Sequence, residues 1–248
     1  MKPVIAAILL ILTLPAFSQQ DKMALADSLY SAENYQEAAG IYEGILQEGK
    51  VSAELYFNLG NTYYKIGDVN NAILNYERAK LLAPNDEDID FNLKIANQYV
   101  VTSVEPLPKP FFVRWSNSII NINPADSWGK ISMATFIGFL IFLGLFLFSK
   151  SVGIKRFSFI LGILLVLGSI VTFSFASKQK SKLDKRNHAI VFCPRVTVKS
   201  SPAESGTDLF LIYEGLKVEL TDSVKNWKEV KLQDGNQGWL QDSCIVRI

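Results

Sequence analysis

The chain is 248 residues long, 49% apolar and 20% charged, with a formal net charge of +1. That length holds one large domain or two small ones, and two cysteines with a single histidine are too few for a zinc site. The near-neutral total conceals an acidic segment, since Gln19–Val104 carries 13 acidic residues against 6 basic, which argues against nucleic acid as a partner. In chain order, Met1–Ser18 has Lys2, an apolar stretch Val4–Leu14 too short to span a bilayer, then Pro15, Ala16 and Ser18. This is the layout of a secretory signal cleaved before Gln19; the alternative is an uncleaved anchor. No cysteine stands at the cleavage site, so a lipoprotein is not expected.

Residues 19–100 contain an internal repeat. Tyr56-x2-Leu59-Gly60-x2-Tyr63 is followed by Gly67, Ala72-x3-Tyr76, Ala79 and Pro84, which resembles the 34-residue tetratricopeptide (TPR) pattern at every signature position, with Tyr in place of Trp at the first. Small Gly60 and Ala72 let two helices approach, Tyr63 and Tyr76 fill the space between them, and Pro84 ends the second. Thirty-four positions earlier stand Leu25, Ala26, Leu29, Ala38, Tyr42 and Ile45, a degenerate first copy. Thirty-four later only Leu93 recurs, so Asp86–Tyr99 reads as a closing helix. Its acidic start, Asp86-Glu87-Asp88-Ile89-Asp90, lacks the Gly and Glu of a calcium loop and instead suits a capped helix N-terminus, with Asn85 or Asp86 as the cap.

Glu105–Pro110 is too rich in proline for a helix and predicts a stiff extended spacer. Phe111, Phe112, Trp115, Ile119 and Ile120 then recur at helical spacing, which fits a short amphipathic helix in the headgroup layer of a membrane; the alternative is packing against the repeats. Ile131–Phe148 and Phe157–Ala176 carry no charge and each reaches about the 27–30 Å of a bilayer core, so they predict a transmembrane hairpin. Lys150, Lys155 and Arg156 in the connecting loop favour a cytoplasmic loop, which places both flanking modules outside. The denser cluster Lys178, Lys180, Lys182, Lys185 and Arg186 opposes this by charge counting. The export signal acts first in synthesis and is given precedence, and the basic run reads as a stalk near anionic headgroups. With no ionisable residue inside either span, the hairpin reads as an anchor rather than an ion pathway.

From Ala189 onward the apolar residues alternate (Ile190, Phe192; Val196, Val198; Val218, Leu220; Val230, Leu232), with turn signals at Ser201-Pro202, Glu214-Gly215 and Asp234-Gly235. Short strands in about 60 residues predict a small barrel. The arrangement Tyr213-Glu214-Gly215, Asn226-Trp227, Asp234-Gly235 and Gly238-Trp239 resembles the bacterial SH3-like (SH3b) domain. Tyr213, Trp227 and Trp239 are its candidate ligand groove, although one tryptophan could equally belong to the core. Cys193 and Cys244 fall near the first and last strands, which leaves either a disulfide or two buried thiols. His188 reads as a solvated linker residue, and no nucleophile motif or Gly-rich phosphate loop appears, so neither enzymatic activity nor a cofactor is expected.

The expected fold is multidomain: all-α TPR repeats, a two-helix transmembrane hairpin and an all-β SH3b barrel. The expected divisions are a signal peptide (1–18), repeats over 19–100 (about 19–52 and 53–86, closing helix 87–100), linker and interfacial helix (101–127), transmembrane helices (128–148 and 157–177) around a cytoplasmic loop (149–156), basic stalk (178–188) and SH3b-like domain (189–248). This order, with Leu59-Gly60-Asn61-Thr62-Tyr63-Tyr64, Pro108–Trp115, Phe210–Gly215 and Asp234–Leu240, resembles the BatE-type proteins of the Bacteroides aerotolerance (Bat) operon. The resemblance implies an inner-membrane protein with both soluble modules in the periplasm. It also implies partners among von Willebrand factor A-domain membrane proteins and other Bat-operon products, linked to a MoxR-type ATPase and to oxidative or envelope stress. The favoured function is a scaffold that takes a partner segment on the concave TPR face, with Asn58, Asn61, Tyr64 and Lys65 as candidate contacts. The alternative is a module binding peptidoglycan peptides through the barrel.

Overall fold

The computed structural model describes residues 21–102, 104, 107, 108, 110–185 and 187–248, the side chains of 182–185 excepted. The expected signal peptide lies outside them. Of the described residues, those up to Leu107 and from Asn187 onward form one compact unit and Pro108–Lys185 a second.

In the first unit the helices are α1 (21–31), α2 (Tyr35–Gln47), α3 (Ala53–Ile66), α4 (Val69–Leu82) and α5 (Glu87–Ala96). Their starts are set by side-chain caps. Ser52 Oγ accepts from the Leu55 amide at 3.0 Å, Asp68 Oδ1 from Asn71 at 3.1 Å, and Asp86 Oδ1 from Asp88 and Ile89 at 3.0 and 3.1 Å. The acidic run thus begins α5 with Asp86 as its cap. Gly60 sits where a Cβ would come within 2.7 Å of the Tyr76 ring, which is why α3 and α4 can pack so closely. Ala26, Ala38, Tyr42 and Ile45 of the first copy are buried with Leu55 and Leu59, whereas Leu25 is 52% exposed.

The C-terminal strands are β1 (His188–Val191), β2 (Arg195–Lys199), β3 (Asp208–Tyr213), β4 (Lys217–Val224), β5 (Trp227–Lys231), β6 (Gln237–Gln241) and β7 (Ile245–Arg247). They form one antiparallel sheet in the order β3-β2-β6-β5-β4-β1-β7. The first and last strands pair, Ile190 opposite Val246, and His188 opens β1 rather than belonging to a linker. Residues from all seven strands, among them Ile212 of one edge and Ile245 of the other, share a single core, so the sheet is rolled. It is not a closed barrel: β3 and β7 remain edges. Each edge is bonded instead to chain outside the sheet, Tyr213 N–H donating to Thr102 Oγ1 in the segment after α5 at 3.1 Å and Arg78 Nη2 of α4 to the Arg247 carbonyl at 2.8 Å. Such cover also blocks unwanted strand addition. Cys193 and Cys244 form a disulfide, S–S 2.01 Å, 51 residues apart. Closing a loop of that length is worth roughly 4 kcal/mol on the chain-entropy account.

Sheet and repeats are joined through α4. Ala72–Glu77 are six consecutive buried residues, a pattern incompatible with a one-sided amphipathic helix. One side meets α3 and α5; the other is covered by Ile190 and Ile248, which join Ala72, Ile73, Leu74, Tyr76, Leu93 and Ala96 in one cluster. Around it Lys217 pairs with Glu77 at 2.6 Å and Asn70 Nδ2 donates to Glu214 at 2.7 Å. Gly215, at φ +81°, completes the fit: a Cβ there would meet Val100 at 2.9 Å.

The second unit contains α6 (Phe111–Asn121), α7 (Ala125–Phe148) and α8 (Val152–Lys185). The helices α7 and α8 are long and apolar enough to cross a membrane. They pair antiparallel, Ser132 and Ser169 exchanging hydroxyl-to-carbonyl bonds of 3.0 Å at their contact. The turn between them is only 149–151, because α8 starts ahead of Lys155 and Arg156; it also continues past its apolar run through Lys178 and Lys180.

Candidate partner-binding groove

The first helices of successive pairs, α1, α3 and α5, line a concave groove of about 220 Å³. Its walls are Tyr30, Asn61, Tyr64, Lys65, Asn92 and Ile95, with Tyr76 reaching in from α4. Asn61 is central. Its Oδ1 accepts from the Tyr76 hydroxyl and from Asn92 Nδ2, each at 2.8 Å. One repeat earlier the same node recurs: Asp27 Oδ1 accepts from Tyr42 at 2.5 Å and from Asn58 Nδ2 at 3.2 Å. Every member is shifted by 34 positions, so the node ties each repeat to the next.

This placement divides the four predicted contacts. Asn61, Tyr64 and Lys65 line the groove, and Asn58 instead holds Asp27. The residues that the sequence reading missed are Tyr30, Tyr76, Asn92 and Ile95. The 34-residue spacing of Asp27/Asn61, Tyr42/Tyr76 and Asn58/Asn92 was the available signal.

The groove's chemistry is that of neutral donors and acceptors with one cation at the rim. Burial raises the pKa of the Tyr76 phenol, as it does for Tyr30, and the hydrogen bond to Tyr99 raises that of Tyr64, so all three stay protonated at neutral pH. None of the described hydrogen bonds uses the Asn61 amide N–H groups or the Asn92 carbonyl oxygen. Together they offer a donor and an acceptor to a peptide unit, with Lys65 exposed beside them.

The predicted groove of the sheet is assembled in part. Trp227 and Trp239 lie half-buried on the outward face as diagonal neighbours, Trp227 two residues before the Glu229 that pairs with Trp239, and neither belongs to the core. Tyr213 lies apart, on the edge strand opposite Arg195, four residues along β2 from the Lys199 that faces Trp239. At strand rise this is about 13 Å. At the Trp239 end of β2, Lys199 pairs with Asp208 at 2.8 Å.

The tetratricopeptide repeat family matches residues 53–86, which are α3, α4 and the turn after them. The chain therefore contains a TPR repeat, in a mostly helical module of the kind that binds other proteins. Among solved structures, a chain titled "Crystal structure of MamA" is 16% identical, covers 64% of this chain and 96% of its own, and has a TM-score of 0.28. No curated protein sequence matches.

Proposed function

We propose that the chain is a non-enzymatic, membrane-anchored scaffold that holds a segment of a partner protein in its TPR groove. The observation that carries this reading is that the groove stands open while the other side of α4 is already occupied by the sheet. The anchor is supported by the bareness of the two long helices. A core helix of a soluble protein would be covered, but the most apolar stretches of α7 and α8 are 6% and 11% buried. The joint at α4 adds a topological argument. The chain leaves the repeat-and-sheet unit after Leu107 and rejoins it by Asn187, so both ends of the hairpin open on one side of the membrane. That side is the periplasmic face of a bacterial inner membrane. The signal expected over 1–18 leads there, and the disulfide suits that compartment. By the resemblance to BatE-type proteins, the partners are von Willebrand factor A-domain membrane proteins and other Bat-operon products, in a complex serving aerotolerance or envelope stress.

The test is in-cell crosslinking and recovery of the full-length protein. Lys65→Glu combined with Tyr64→Ala, both at the groove, should lose the membrane proteins recovered with the unaltered chain; equal recovery would reject the groove. The full-length chain is needed, because removing residues from 189 onward would take Ile190 and Ile248 out of the cluster that holds Ile73 and disturb the repeats themselves.

One observation favours a second reading, in which the sheet acts as an SH3b domain on peptidoglycan peptides: Trp227 and Trp239 share the outward face. Replacing both by alanine in the folded chain should then abolish retention on purified cell wall. Retention unchanged would leave the scaffold alone.

A further inference from the structure

The helix α6 ends in a knot. The carbonyl oxygen of Ile120 accepts from Trp128 Nε1 of α7 and from Gln179 Nε2 of α8, each at 2.8 Å. Ile120 and Gln179 are both buried, and the Trp128 ring packs edge-on against Phe175 at 5.2 Å. One carbonyl thus fixes α6 to both arms of the hairpin at a single level. Trp128 and Gln179 each stand three residues outside the charge-free runs, whose ends here are Ile131 and Ala176. At helical rise this is about 4.5 Å beyond the apolar span, the depth at which hydrocarbon gives way to headgroups.

The side of α6 opposite Ile120 is left exposed by the described residues. Phe111, Trp115 and Ile122 fall within a narrow stripe at 100° per residue, with Phe112 beside it, and they are 73%, 64%, 60% and 63% exposed. The apolar side chains of α7 and α8 are likewise exposed, Ile137 at 51% and Leu167 at 53%. The charges around the stripe are mostly basic. Arg114, Lys130, Lys178 and Lys180 are exposed there, against Asp126 as the single acidic side chain described between 110 and 181.

We propose that α6 is a second membrane element, lying in the headgroup layer of an anionic leaflet with Phe111, Phe112 and Trp115 inserted and the four basic side chains on lipid phosphates. The inference rests on the reading of α7 and α8 as a membrane hairpin. It makes the segment before the hairpin a seat on the bilayer surface rather than a free tether.

The experiment uses the full-length protein reconstituted in vesicles of mixed phosphatidylcholine and phosphatidylglycerol, with Phe112→p-benzoylphenylalanine or, separately, Ile137→p-benzoylphenylalanine in mid-hairpin, irradiated and analysed for lipid adducts. Adducts at both positions are expected, with phosphatidylglycerol enriched at Phe112. Removing Lys178 and Lys180 as K178Q/K180Q should lower that enrichment by roughly fivefold per charge. Adducts at Ile137 alone would overturn the proposal and leave the hairpin standing. Adducts at neither would overturn the hairpin reading and this inference with it. Adducts at Phe112 indifferent to headgroup and to the lysine substitutions would overturn the anionic-leaflet assignment.

Discussion

The two repeats use one plan and differ in what covers them. In each, an acceptor on the first helix takes a tyrosine hydroxyl from the second and an asparagine amide from the following repeat; the acceptor is Asp27 in one and Asn61 in the other. Around that shared node the apolar signature diverges, with Leu25 exposed where its counterpart Leu59 is buried. The outer side of the second helix diverges further. Asn70, Ile73 and Arg78 of α4 touch the sheet, and the first repeat has Gln36, Ala39 and Gly44 at those positions. A repeat can therefore keep its internal hydrogen-bond geometry while its cover is set by what docks on it.

The largest effect should come from breaking that cover. Ile73→Ala removes a side chain fully buried in the cluster that Ile190 and Ile248 join, and is expected to cost about 2–5 kcal/mol in denaturant unfolding of the detergent-solubilised chain. A cost below about 1 kcal/mol would show that the sheet does not support the repeat. Next is Gly60→Ala, which drives a methyl group into the buried Tyr76 ring and should cost about 1–3 kcal/mol. The first repeat already has Ala26 at this position, fully buried, so the penalty belongs to the tighter second pair.

The node sharpens the comparison. Asn61→Leu leaves the Tyr76 hydroxyl and the Asn92 amide without their acceptor, at about 1–3 kcal/mol, whereas Asn61→Asp reproduces the Asp27 arrangement and should cost under about 1 kcal/mol by thermal melts. Equal losses would mean that the node requires more than an acceptor. The smallest effect is in pH. Burial, reinforced by Asp27 for Tyr42 and by Glu43 for Tyr63, raises the pKa of both phenols above the ordinary value, as burial does for Tyr76. Above about pH 10 the unfolded chain loses protons that the folded chain keeps, so this contribution is whole below that pH and declines as pH rises through the native values. Melting temperature in this module should be flat across neutral pH and fall above 10, less so in Tyr42→Phe.

The parts legible in sequence were those with a short period. Tyr56, Leu59, Gly60, Tyr63, Ala72 and Tyr76 disclosed α3 and α4, and alternation at Ile190, Val198, Val218 and Val230 disclosed the strands. The joint was not legible. Asn70, Glu77 and Arg78 look like a solvated helix face, and their partners stand 140 to 169 residues away, beyond any local pattern. The open sheet escaped for the same reason, since what replaces strand pairing at its edges comes from Arg78 and Thr102. In the groove, aromatic and amide residues at Tyr30, Tyr76 and Asn92 read as core or filler until the 34-residue recurrence of their bonding partners is noticed.

The joint at α4 also sets a timetable. Ile73 emerges during synthesis well before its cover, because α6, α7 and α8 must be made before Ile190 and Ile248 exist. At about 5–20 residues per second the interval from Ile73 to Ile248 is roughly 9–35 s. For that time a nascent repeat module would present an uncovered apolar flank to its surroundings, a substrate for any chaperone that meets it. Ile248 is among the residues that end the wait.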